Sequence, residues 1–194
     1  MTKSFTKRQT QIIQASVAII AEKGIQGLTM KNIAAAIGIS EPAIYRHFTG
    51  KSEILSGIIK LMKMNTYENM QVNKIELSPM QRLELALRNR TEAFVGNPAL
   101  AAIIFSEKIF ISDNQLSQEI RTIMNEREAL FIELLTRGQA VGEVRDDLEV
   151  EVLATMIIGA FRFTVTKCHL FDCGVDLEAE VDRLIKAIKK MILK

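Results

Sequence analysis

Ten side chains suited to nucleic-acid contact lie within one short segment of this chain: Thr29, Lys31, Ser40, Glu41, Pro42, Ala43, Tyr45, Arg46, His47 and Lys51. Each type brings a defined chemistry. Lys51 stands where a helix would begin, so its charge and the helix N-terminus both favour a phosphate. Ala43 offers a methyl group to a thymine methyl, and Glu41 a carboxylate to a cytosine amino group, although it would repel a misplaced phosphate. Arg46 reaches either a guanine edge or a phosphate, and Lys31 adds charge. Pro42 fixes the local backbone. Thr29 and Ser40 fit the caps of two helices and still sit beside a DNA backbone. Five of them also have a plainer reading: caps for Thr29 and Ser40, core for Tyr45, surface for His47, a solvated charge for Lys51.

Such a set needs elements to hold it. Residues 29–48 read as two short helices separated by Gly38-Ile39, the helix-turn-helix plan with glycine at the tight turn. Ile33, Ala34, Ile37, Ile39, Ile44 and Phe48 supply apolar residues where the helices cross, and Ala34, Ala35 and Ala36 allow close approach. A preceding helix over about 4–23 carries Ile12, Ile13, Ser16, Val17, Ile20 and Ala21 on one stripe and ends at Gly24. The third helix is short, and its early positions, Glu41, Pro42 and Ala43, would enter the major groove first. A fourth helix, about 51–71, buries Ile54, Leu55, Ile58, Leu61 and Met62.

The run Leu28-Thr29 to Ile33-Ala34, Gly38-Ile39-Ser40, Ile44-Tyr45-Arg46-His47-Phe48 and Lys51 resembles the amino-terminal domain of the TetR family of regulators. The likeness spans about residues 10–55 and is densest from 28 to 55. Beyond it, the helices match only in number, order and length. The resemblance implies an all-helical homodimer with three-helix DNA-binding heads and a larger domain that binds a small effector and releases DNA. It also implies phosphate contacts for Tyr45 and His47.

The rest of the chain fits that outline. Ser78-Pro79 starts a helix with Leu83, Leu87 and Phe94 inside, and Asn97-Pro98 breaks it and begins a short one through Phe105. Asp113 opens a long helix striped by Leu116, Ile120, Ile123, Arg127, Leu130 and Leu134. Gly138 to Asp147 is a loop, and Asp147 caps a helix over about 148–170. Asp176 caps the last, where Leu177, Val181, Leu184, Ile188 and Met191 recur at helical intervals. The expected fold is all-α, about nine helices. Residues 1–50 form the helix-turn-helix head, and 51–194 the effector-binding and dimerisation domain.

Composition narrows the function classes. The 194 residues are 48% hydrophobic and 25% charged, as in a folded protein. Net charge is +2, but residues 1–51 hold seven bases against two acids, a local +5 that leaves −3 for the remainder. A basic end joined to an acidic remainder suits a nucleic-acid-binding module. Cys168 and Cys173 have neither redox nor zinc spacing, so reduced thiols and no metal or cofactor are expected. No nucleophile–base pair or phosphate loop points to an enzyme. The apolar stretch from Val150 to Phe171 is interrupted by Arg162, Lys167 and His169, unlike a membrane span. With no signal-peptide pattern, a cytoplasmic location is expected.

In the second domain, polar residues within apolar stretches mark a candidate effector pocket, because burial demands a partner. Glu107, Arg127 and Arg162 are such residues, with Phe105, Met124 and Phe161 among the apolar lining. Arg162 pairing with a carboxylate, from Glu107 or from the effector, is one reading; a structural Arg–Glu pair is the other. The last two helices, with Gly159 and Ala160 permitting close approach, are expected to make a homodimer as a four-helix bundle. The partners are then double-stranded DNA at a palindromic site and a small apolar or amphipathic effector. The rival is a helical adaptor that keeps the head and works through protein contact.

Overall fold

The computed structural model describes residues 5–60, 77–97, 99–104, 114–171 and 176–194. Their regular elements are helices: α1 Lys7–Lys23, a 3-10 turn Ile25–Gly27, α2 Met30–Ile37, α3 Glu41–Tyr45, α4 over 51–60, α5 Pro79–Gly96, α6 Ala99–Ile104, α7 Asn114–Ala140, α8 Val150–Phe171 and α9 Leu177–Ile192. No β-strand occurs among the described residues, only an isolated bridge between Val144 and Leu193. The all-α expectation holds. Contacts divide the chain into two compact units, residues 1–65 with 97–119 and residues 66–96 with 120–194, a division that falls within α7.

The first unit is built around α1. Its expected start near residue 4 moves to Lys7, because Thr6 adopts extended backbone and caps it. The Thr6 hydroxyl accepts from the Gln9 amide and the Gln9 side chain accepts from the Thr6 amide, a reciprocal capping box. Inside lie Ile12, Ile13, Ser16, Ile19 and Ile20; Ala21, expected on this stripe, is exposed and Ile19 replaces it. The Ser16 hydroxyl is satisfied by the Ile12 carbonyl at 2.8 Å.

The turn geometry explains α2 and α3. Thr29 caps α2 through the Asn32 amide at 3.1 Å. Gly38 ends it at φ 70°, ψ 38°, a left-handed conformation that a side chain makes costly by roughly 1–2 kcal/mol. Ser40 does not cap α3 with its hydroxyl, contrary to expectation. Its natural targets are the second and third amides of the helix, but the second belongs to Pro42, which has none, and that of Ala43 bonds the Ser40 carbonyl at 3.0 Å. Ala34 is buried between the helices, whereas Ala35 and Ala36 face out; Ile37 and Ile39 are half-buried.

Ile44 and Phe48 seat α3 on this core at 0% and 2% exposure. Full burial of one such side chain contributes about 1.5–3 kcal/mol. In α4, Ile54, Leu55, Ile58 and Ile59 are buried, and Leu61 and Met62 lie outside the described residues. Gly57 lets α4 approach closely: a Cβ there would stand 3.1 Å from Ile13 Cδ1 and 3.5 Å from the Phe48 ring. The buried Ser56 hydroxyl donates to the Glu119 carboxylate at 2.7 Å, joining α4 to the first turns of α7.

In the second unit, α9 packs on α5 and α8. Leu83, Leu87 and Phe94 of α5 are buried as expected, as are Ile120, Ile123 and Leu134 of α7, with Phe131 and Leu135 beside them. Leu130 and Arg127 are only half-buried. Ion pairs run across the α5–α9 seam from Lys189 to Glu84, from Glu84 to Arg88, and from Arg88 to Asp182.

Two boundaries differ from the sequence reading. Helix α7 continues past Gly138 to Ala140, and the Gly138 carbonyl then receives the amides of Glu143 and Val144. Asp147 caps nothing: α8 begins at Val150, and the Asp147 carboxylate is held by the Arg145 guanidinium at 2.6 Å. Asp176 does cap α9, accepting from the Glu178 amide at 3.0 Å. Asp113 and Pro98 lie outside the described residues.

Candidate nucleic-acid interface

Helix α3 is held from below and open above. Ile44 and Phe48 are buried, while Glu41, Pro42, Tyr45 and Arg46 are exposed and Ala43 is half-buried. Tyr45 keeps 53% of its surface in water, so its core reading does not apply. The side chains of Lys31, Glu41, Tyr45 and Arg46 make no hydrogen bond or ion pair among the described residues. Thr29 is exposed beside them, its hydroxyl engaged in the α2 cap, and Ser40 is exposed with its hydroxyl unused by the cap. Eight of the ten sequence-selected residues thus lie on α2, on α3 or at the caps of these two helices, seven of them exposed and Ala43 half-buried.

The segment after α3 is tied down at successive residues. The amides of His47 and Phe48 both bond the Ile44 carbonyl, at 2.8 and 3.1 Å. The His47 carbonyl accepts from Gln9 Nε2 at 3.3 Å. Next, the Thr49 amide and hydroxyl both donate to the Glu53 carboxylate, at 2.6 and 2.8 Å. These bonds, the backbone one foremost, hold the Glu53 carboxyl below its ordinary range. His47 itself is half-buried.

Lys51 sits differently from the rest. Its ammonium donates to the Ile25 carbonyl at 2.7 Å, pinning the start of α4 to the turn after α1. Partial burial lowers its pKa through desolvation. An ammonium has three donors, so a phosphate contact remains compatible with this seat. Gln9, Thr49 and Glu53 escaped the sequence reading. Thr6-x-x-Gln9 is a readable capping-box signal, but the bond from Gln9 to residue 47 has no local signature.

The expected effector residues are dispersed or out of view. Phe105 and Glu107 lie outside the described residues. In the second unit, Phe161 is buried and its ring meets that of Phe94 at 6.3 Å and 43°. Arg90 lies over Phe94 at 5.4 Å. Met124 is 43% exposed, Arg127 half-buried and Arg162 exposed. Arg162, expected to face a pocket, stands on the exposed side of α8. Among the described residues no group of acidic, histidine and cysteine side chains has the makings of a metal site, and no helix is long and apolar enough to cross a membrane.

Comparison with known proteins decides the family. Residues 12–58 match the model described as bacterial regulatory proteins, tetR family, and residues 76–166 that of the tetracyclin repressor-like C-terminal domain. The chain belongs to the TetR family. Among its TetR-family relatives is a fatty acid metabolism regulator protein of Bacillus subtilis, 29% identical over 170 residues, with 87% of each chain covered. A crystal structure of the regulator FadR from Bacillus subtilis in complex with stearoyl-CoA superposes with a TM-score of 0.77 at 27% identity, covering 92% of this chain and 96% of that one. A nucleoid occlusion factor, SlmA of Aliivibrio fischeri, is 25% identical over 156 residues, 78% of this chain and 79% of the relative. As a TetR-family protein the chain carries the helix-turn-helix head on α1–α3, and its two model matches follow the order of head and carboxy-terminal domain.

Proposed function

We propose that this protein is a sequence-specific transcriptional repressor, a homodimer whose two heads bind a palindromic operator and which a fatty acyl thioester releases. On this reading residues 1–50 are the DNA-binding head and residues 51–194 the effector-binding and dimerisation domain. The observation that carries it is the exposed, partner-free set Lys31, Glu41, Tyr45 and Arg46 on a backbone fastened from beneath. Tyr45, His47, Thr29 and Lys51 then contact phosphates and give affinity, whereas Pro42, Ala43, Glu41 and Arg46 meet base edges.

Support for the dimer comes from α8 and α9. Val152, Met156 and Phe163 are 45%, 46% and 71% exposed and share one face of α8 with Gly159. On α9 the apolar stripe is double. Val181, Ile185, Ile188 and Ile192 are buried within the subunit, while Met191 is 52% exposed and Leu177 and Leu184 are half-buried. A second copy covering these outer rows would bury them. Support for the effector class comes from the acyl-CoA regulator among the similar structures and from the apolar interior of the second unit.

Enrichment of duplexes from a randomised pool by the purified protein tests the DNA claim. A palindrome is expected, with affinity falling by about 10³-fold or more between about 50 and 200 mM salt if some six phosphates are neutralised. Sequence-independent binding alone would favour the reading of a helical adaptor that keeps the head and works through protein contact.

A further inference from the structure

Gln9 lies in the first turn of α1, outside the helix-turn-helix, yet its carboxamide is used at both ends. Oε1 accepts from the Thr6 amide at 3.0 Å and from the Thr6 hydroxyl at 3.2 Å. Nε2 donates across 38 positions of sequence to the His47 carbonyl at 3.3 Å. Since the group is planar, engaging both ends leaves it one orientation.

The carbonyl it holds is a consequential one. Helix α3 is five residues long, too short to be stable alone, and its last carbonyls have no partner within the helix. Its placement depends on tertiary ties. Burial of Ile44 and Phe48 fixes the inner side. Glu53 fixes Thr49. Gln9 supplies a further tie, from α1, two residues beyond Tyr45.

We infer that Gln9 is a positioning residue of the DNA-binding head: its carboxamide joins the first turn of α1 to the carbonyl that follows α3, and so sets where Tyr45 and Arg46 meet DNA. The inference rests on the regulator reading above. A glutamine that merely capped α1 would act only on stability, which separates the two roles experimentally.

The test compares Gln9→Met, which keeps the length and loses all three carboxamide bonds, with Thr6→Val, which weakens the same cap and leaves the His47 bond in place. The probe is a duplex enriched from a randomised pool by the wild-type chain, read by fluorescence anisotropy well below the thermal midpoint of each variant. Both substitutions are expected to lower the thermal midpoint by a few degrees. Only Gln9→Met is expected to raise the Kd for that duplex, by about fivefold, the scale of one hydrogen bond. In a Tyr45→Phe background the same substitution should cost less than about twofold, because the contact it positions is already gone. Equal Kd values for Gln9→Met and wild type would overturn the assignment, as would equal weakening by Thr6→Val and Gln9→Met, or full additivity with Tyr45→Phe. A wild-type chain that enriches no duplex would overturn the regulator reading, and this assignment with it.

Discussion

Tyr45 is a large aromatic side chain left mostly in water, two residues before a carbonyl fastened to α1 and three before a buried phenylalanine. Replacing it with Phe removes only the hydroxyl, so folding should be unaffected and operator affinity should fall about threefold to tenfold, as for one lost hydrogen bond; anisotropy titration reads it. Glu53 gives a pH dependence. Its carboxyl is held low by the Thr49 amide and hydroxyl, so the bonds stabilise the fold fully above the ordinary glutamate range and are lost as pH falls through the lowered pKa. Thermal midpoints of wild type and Glu53→Ala should therefore differ near neutral pH and converge on acidification below the ordinary glutamate range. At this scale the sequence was a partial guide. Thr29 and Asp176 cap as expected because an amide stands within reach of each side chain. Ser40 fails because Pro42 removes an amide, and Asp147 fails because Arg145 claims its carboxylate first. Competition of this kind is invisible to a local pattern.

Helices were more legible than their partners. The Thr29, Gly38 and Pro42 punctuation placed α2 and the start of α3 to the residue, since caps and left-handed turns are chemically local. The apolar stripe of α9 was visible too, but not that it is two rows, one buried within the subunit and one uncovered. Which row a neighbour covers depends on tertiary packing. If the outer rows meet a second copy, Phe163→Glu should leave a folded monomer at concentrations where the wild type is dimeric; analytical ultracentrifugation reads this, and a persistent dimer would place the interface elsewhere. Gly57 shows the same limit inside α4. A lone glycine in a helix reads as a weakness, whereas here it admits Ile13 and Phe48. Gly57→Val should destabilise the fold by about 1–3 kcal/mol in denaturant titration, because overpacking outweighs any gain in helix propensity.

For the whole molecule, the sequence carried the family and the all-α architecture, because the motif of the head is contiguous in sequence. The residues selected for an effector site are spread over separate helices, where Phe161 is buried and Met124 and Arg162 are exposed, and Phe105 and Glu107 lie outside the described residues. Ligand control is nevertheless a claim with a definite thermodynamic form. An effector that releases DNA must bind the two states unequally, and DNA must weaken effector binding by the same factor. The most direct measurement is a titration of stearoyl-CoA into the protein bound to its enriched duplex, paired with the affinity for stearoyl-CoA measured with and without that duplex. Release of the duplex by stearoyl-CoA but not by free CoA, with equal coupling factors in both directions, is the expected result. A duplex affinity unchanged at saturating stearoyl-CoA would contradict the proposed acyl-thioester control.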